Sequence, residues 1–127
     1  MIVKEHLSNK FIIEQDKLNL FSEASGGIGK IHTDPDYASQ TAFGGTLVHG
    51  ILLVALIEKE LESKIDGWAE KGRLEVTFIK PVLSGKEFFI KLERNQDTDI
   101  IVTVLCEEEV VSTGKAMLSE ALAEKNK

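Results

Sequence analysis

Between Leu47 and Ile57 the chain is apolar at every position except His49 and Gly50. Read as a helix, Leu47, Val48, Ile51, Leu52, Leu53, Val54, Ala55, Leu56 and Ile57 leave no polar face, and such a helix has to be wrapped by other structure. The run predicts the first three turns of a helix over Thr46 to about Lys64. From Glu58 the sequence turns to Glu-Lys-Glu-Leu-Glu-Ser-Lys-Ile, which predicts that the helix surfaces there. The run is too short to cross a bilayer. With 127 residues the chain has the size of one domain, residues 1–127, and the segments on either side of the run remain to be read.

Those segments read mostly as strands. Phe11-Ile12-Ile13 is a short one. Leu74, Val76 and Phe78 alternate with Arg73, Glu75 and Thr77, the period of a half-buried strand. Pro81 ends or kinks it, and Ser84-Gly85 is a turn. Phe88 to Leu92 follows. Asn95 to Asp99 is a polar hairpin loop, and Ile100 to Leu105 and Val110 to Met117 complete an antiparallel series. Glu14 to Ala24 has helical spacing at Leu18, Leu20, Phe21 and Ala24, closed by Gly26, Gly27 and Gly29. Asp34-Pro35 opens a short helix to about Thr41, with Asp34 as N-cap and Pro35 in its first position. The tail Ala121 to Lys127 is polar and expected to fray. One buried helix and about five strands predict an α+β fold, an antiparallel sheet wrapped around a long central helix. Such a sheet leaves an edge strand open, which predicts a dimer or higher oligomer.

The net charge of −6 and the pI near 5.1 argue against nucleic acid or an anionic membrane as partner. Cys106 is the only cysteine and follows an apolar strand, so it reads as a packed thiol rather than a nucleophile. Three scattered histidines give no metal-ligand spacing, and no metal is expected. Gly26-Gly27-Ile28-Gly29 follows no strand and is not a nucleotide fingerprint. The N-terminus lacks the apolar core and cleavage site of a signal peptide, which leaves a cytoplasmic protein as the simple expectation.

Two histidines carry the functional information. His32, in Ile31-His32-Thr33-Asp34-Pro35, is predicted on a loop just ahead of the short helix. His49, in Val48-His49-Gly50, precedes the apolar helix. The order Ser25-Gly26-Gly27-Ile28-Gly29-Lys30-Ile31-His32-Thr33-Asp34, then Tyr37-Ala38, Ala42-Phe43 and Val48-His49-Gly50, resembles the MaoC-like or (R)-specific enoyl-CoA hydratase family of hot-dog proteins. That family's loop reads Ser-Gly-Asp-x-Asn-Pro-x-His-x-Asp ahead of Val-His-Gly. Phe78-Ile79-Lys80-Pro81-Val82-Leu83-Ser84-Gly85 is similar to its strand-Pro-Val-turn-Gly segment. The resemblance covers nearly the whole chain. It implies a hot-dog fold, no cofactor, and a coenzyme A thioester as substrate. It assigns the catalytic histidine to His32 and the backbone donor that polarises the thioester carbonyl to Gly50.

One assignment does not carry over. The family's catalytic Asp falls on Gly27, and its Asn and Pro fall on Gly29 and Lys30. Glu58, eight positions after Gly50, is a candidate replacement: either it reaches the space above Gly27, or it marks where the helix meets solvent. Gly27, Lys30 and His49 are candidate substrate-binding positions. Lys30 could meet an acidic substrate group or stay solvated, and His49 could line the site or brace the helix start. Asp34 is better explained as a cap, Asp36 offers little, and Glu23 belongs to a solvent face. Three functions remain open: a 2-enoyl-CoA hydratase/dehydratase with a non-standard site; a catalytically impaired acyl-CoA-binding subunit paired with another hot-dog chain; and a thioesterase, for which the apolar positions Ile51 to Ile57 supply no carboxylate or hydroxyl.

Overall fold

A computed structural model describes residues 4–96 and 99–118; the expected frayed tail and two positions of the Asn95–Asp99 loop lie outside these. The elements run β1 (Glu5–Leu7), β2 (Phe11–Ile12), α1 (Gln15–Ser25), α2 (Lys30–Thr33), α3 (Pro35–Ser39), α4 (Gly50–Lys64), α5 (Trp68–Lys71), β3 (Gly72–Phe78), β4 (Glu87–Arg94), β5 (Ile100–Cys106) and β6 (Glu109–Leu118). The antiparallel sheet has the order β1-β4-β5-β6-β3, with β2 also pairing with β4. β1 and β2 thus share one edge, and β3 forms the other.

The inward row is set by strand alternation. Ile90 faces Val104 across β4 and β5, Leu92 faces Val102, and Ile100 faces Ala116 on β6. These side chains are buried and pack with Leu53, Ile57 and Leu61 of α4. Leu74 and Val76 extend the row on β3, as their alternation predicted. Cys106, partly buried, packs against the same core, and burial pushes its thiol pKa up, with the Glu107 carboxylate next in effect.

One expectation needs correction. The central helix starts at Gly50, not Thr46. Val48 N–H donates to the Val82 carbonyl at 2.8 Å, Ser84 N–H donates to the Thr46 carbonyl at 2.9 Å, and Leu47 bridges Leu83. Residues 46–48 therefore run extended against the chain after Pro81. Within one chain the helix is wrapped only in part: Leu53, Ile57 and Leu61 are buried, Leu52 and Leu56 are partly buried against the same core, and Ile51 is 68% exposed.

β1, α2 and α5 were not foreseen. α5 is joined tightly to β3: a Cβ on Gly72 would lie 2.3 Å from the Trp68 ring, so only glycine lets the chain turn under that buried indole. A bulge in β6 opposite Val104 and Leu105 leaves Val111 outside the pairing. Its carbonyl accepts from Ile79 N–H at 2.9 Å and Lys80 N–H at 3.0 Å. This bends the chain leaving β3 toward Pro81 and the start of α4, where the candidate site lies.

Candidate active site

His32 lies on the one-turn helix α2 rather than on an open loop. Its Nδ1 is 2.8 Å from the Leu47 carbonyl. A carbonyl only accepts, so Nδ1 carries the hydrogen, and in the neutral ring Nε2 is the nitrogen with the lone pair. Gln15, in the first turn of α1, braces this geometry from both sides. Its Nε2 donates to the His32 carbonyl at 2.9 Å, and its Oε1 accepts from Thr46 Oγ1 at 2.6 Å. Leu47 N–H donates to the Ile31 carbonyl at 3.0 Å, locking α2 to the segment that leads into α4.

Gly50 opens α4. His49, at the N-cap, has extended backbone (φ −59°, ψ 135°), and its carbonyl takes the N–H groups of Leu52 and Leu53. Among the described residues no acceptor meets the N–H of Gly50 or Ile51, the usual condition of a helix N-terminus. A Cβ on Gly50 would sit 3.1 Å from the Phe78 ring, so the glycine lets the aromatic lie directly on the helix start. A cavity of about 310 Å³ is lined by His32, Leu47, Gly50, Leu53, Phe78 and Val82, among others. It is mostly apolar, and it brings together a ring nitrogen with a lone pair and a helix N-terminus with free donors. A shallower hollow of about 590 Å³ beside α1, lined by Asp16, Asn19, Leu20, Glu23 and Ile28, contains no histidine.

Behind His32 lies His49. The two imidazoles stack with centroids 3.9 Å apart and planes at 17°. His49 Nε2 is 2.9 Å from the Gly27 carbonyl and therefore carries its hydrogen; Ser22 Oγ is 3.1 Å from the same nitrogen. Phe21 meets the ring edge-on at 4.9 Å. The ring is buried, and among the described residues its Nδ1 has no partner. Burial, the largest influence, pushes its pKa below the ordinary histidine value; the Gly27 carbonyl acts in the opposite direction, and His32 lowers it further. A Cβ on Gly27 would lie 3.1 Å from His49 Cδ2 and 3.3 Å from Ser25 Oγ.

The remaining candidates lie apart from this cavity. Glu58 accepts a 2.6 Å hydrogen bond from Trp68 Nε1. It stands two helical turns beyond Gly50, about 12 Å along the axis at the standard rise, and is not among the residues lining the His32 cavity. Lys30 is exposed, its ammonium 5.8 Å from the centre of the Tyr37 ring. Asp34 caps α3 through Tyr37 N–H at 3.1 Å. Among the described residues no cluster of three His, Cys, Asp or Glu could hold a metal ion, and no helix is long and apolar enough to cross a membrane. Neither Gln15 nor Phe78 was read from the sequence as a site residue. Gln15 has no local signal. Phe78 had one, as the last residue of the Leu74, Val76, Phe78 row before the Pro81 kink.

Comparison with known proteins bears on the fold and the family. A family model described as the MaoC like domain matches residues 4–116. An (R)-specific enoyl-CoA hydratase of Aeromonas caviae is 30% identical over 114 residues, covering 87% of this chain and 75% of that protein. The 3-hydroxyacyl-thioester dehydratase Z of Mycobacterium tuberculosis is 40% identical over 47 residues, 37% of this chain; the matched part spans only 31% of that dehydratase. The solved (R)-hydratase from A. caviae, described as involved in PHA biosynthesis, superposes with a TM-score of 0.78 at 22% identity, covering 91% of this chain and 94% of the other. The fold is the hot-dog fold.

Proposed function

The chain belongs to the MaoC-like domain family, and from that premise we propose that it is a hydratase/dehydratase acting on 2-enoyl (3-hydroxyacyl) thioesters of coenzyme A. The single observation that carries this reading is that His32, held through Nδ1 by the Leu47 carbonyl, and Gly50, at the open N-terminus of α4, line one apolar cavity. In the hydration direction a water adds to the β-carbon of the enoyl thioester. As the new C–O bond forms, His32 Nε2 takes a water proton, and the electron pair of the double bond shifts toward the thioester carbonyl. The oxygen that gains charge is met by the Gly50 N–H at the positive end of α4. His32 then returns its proton to the α-carbon, and the net change is addition of one water. Dehydration runs through the same steps in reverse. Glu58 is read here as a structural group, because its carboxylate is held by Trp68.

A second reading has its own support. No carboxylate stands at Gly27, as expected of a binding subunit that relies on another hot-dog chain for chemistry. The open β3 edge and the exposed Ile51 also suit pairing with a second hot-dog chain, the same or different.

The test is incubation of the purified protein with a trans-2-enoyl-CoA. The hydratase reading expects loss of the conjugated enoyl absorbance without release of free thiol. Release of thiol would replace it with the thioesterase reading. No change with this protein alone, but hydration once a second hot-dog chain is added, would favour the subunit reading.

A further inference from the structure

We propose that Gln15 is a positioning residue for His32, a side-chain cap that α1 supplies to the one-turn helix α2. Its catalytic consequence rests on the hydratase reading above; its structural content does not. The need for a cap starts at Pro35. A helical carbonyl is met by the N–H four residues on, and Pro35 has no N–H to give to Ile31. α2 stops at Thr33, so the His32 carbonyl is left open as well. Both orphans find partners far along the chain. Leu47 N–H donates to the Ile31 carbonyl at 3.0 Å, and Gln15 Nε2 donates to the His32 carbonyl at 2.9 Å. Packing holds α2 only in part, because none of its four residues is fully buried, and a single turn is too short to be stable by itself. These hydrogen bonds therefore decide where the backbone of His32 stands.

The rest of the Gln15 amide is committed too. Nε2 also donates to Asn19 Oδ1 at 3.0 Å, and Oε1 accepts from Thr46 Oγ1 at 2.6 Å. Two acceptors at the nitrogen leave the amide one orientation. The Thr46 contact brings the clamp to the neighbour of Leu47, whose carbonyl holds His32 Nδ1 at 2.8 Å. Gln15 thus ties the backbone of His32 to the strip that holds the His32 ring, and keeps the two in register. Thr46 is buried, so loss of Gln15 strands a buried hydroxyl at the same time as it opens α2. The stack on His49 sets the tilt of the ring. Where the ring stands against the cavity that it lines follows from the backbone beneath it.

The test combines a readout that needs no substrate with one that does. In long-range 1H–15N correlation spectra of the full chain, taken with the imidazoles neutral, His32 should be protonated at Nδ1. Gln15→Met keeps the length and bulk of the side chain and removes its hydrogen bonds. In that variant ring and carbonyl lose their register, and His32 should show a mixture of tautomers. With a trans-2-enoyl-CoA, Gln15→Met should lower kcat by up to about 10²-fold, the scale of a small misplacement of a catalytic group, with little change in KM. Gln15→Glu keeps the acceptor for Thr46 but sets an oxygen against the His32 carbonyl, so it should be impaired on both readouts. If Gln15→Met does not fold, Thr46→Val, which keeps the shape of the side chain and removes only the hydroxyl, is judged on the same two readouts. A folded variant in which His32 stays wholly protonated at Nδ1, or in which kcat stays at the wild-type value, would overturn the proposal, since Gln15 would then act on stability alone. If the wild type hydrates nothing, the functional reading fails, and the tautomer of His32 still decides the role of Gln15.

Discussion

At Gly50 the backbone donor and the missing side chain can be separated by substitution. Alanine and proline both add a Cβ 3.1 Å from Phe78, so both force that ring to give way by a few tenths of an ångström. Only proline removes the N–H. Its other demands are met: it is tolerated at the first helical position, and the ψ of 135° at His49 suits a residue preceding proline. Gly50→Pro is therefore expected to fall about 10²–10³-fold below Gly50→Ala in kcat, the usual loss for one oxyanion donor. Steady-state kinetics on an enoyl-CoA check this, and equal rates would remove the donor role. At this scale the sequence was legible where a short motif places a residue, as at His32 and Gly50, which line one cavity. It was silent where the role depends on a partner far along the chain. Gln15 reaches both His32 and Thr46, and nothing around Gln15 announces it. The His32–His49 stack likewise joins two motifs that the sequence presents separately.

Among the elements, α4 shows why a continuous apolar run misleads about boundaries. Thr46, Leu47 and Val48 are as compatible with a helix as the residues that follow, because a run without polar positions carries no period. Their extended form comes from Val82, Leu83 and Ser84, across the Pro81 bend. α5 was missed because four residues give no periodic signal, yet it carries the buried Trp68 that binds Glu58. That contact gives Glu58 a role as a tie between α4 and α5. Glu58→Gln keeps an acceptor for the indole N–H and should leave both stability and turnover near wild type. Glu58→Ala strands a buried donor and should cost about 1–3 kcal/mol, measured by denaturant unfolding. Loss of turnover in Glu58→Gln without loss of stability would return Glu58 to the candidate acids.

For the molecule as a whole, the strand alternation and the single apolar helix were enough to foresee a sheet packed on a helix. The uncovered part of α4 could not be foreseen, since apolar character alone does not say whether a surface is covered by its own chain. The buried His49 gives the whole fold a pH dependence. The pKa of His49 is lowered in the folded state, so the unfolded chain takes up its proton at a higher pH than the folded one does. Stability then declines as pH falls through the ordinary histidine range, near 6.5. Thermal unfolding from pH 7.5 down to pH 5 should show a falling midpoint, with a shallower slope in His49→Phe; an identical slope in that variant would contradict a buried neutral His49.

The proposed hydratase chemistry rests on proton transfers by His32, which lines an apolar cavity together with Gly50. Turnover of a trans-2-enoyl-CoA by His32→Gln beside the wild type tests this. A folded variant is expected, with its thermal midpoint near that of the wild type and a kcat reduced by about 10²–10⁴-fold. Wild-type turnover in His32→Gln would contradict it.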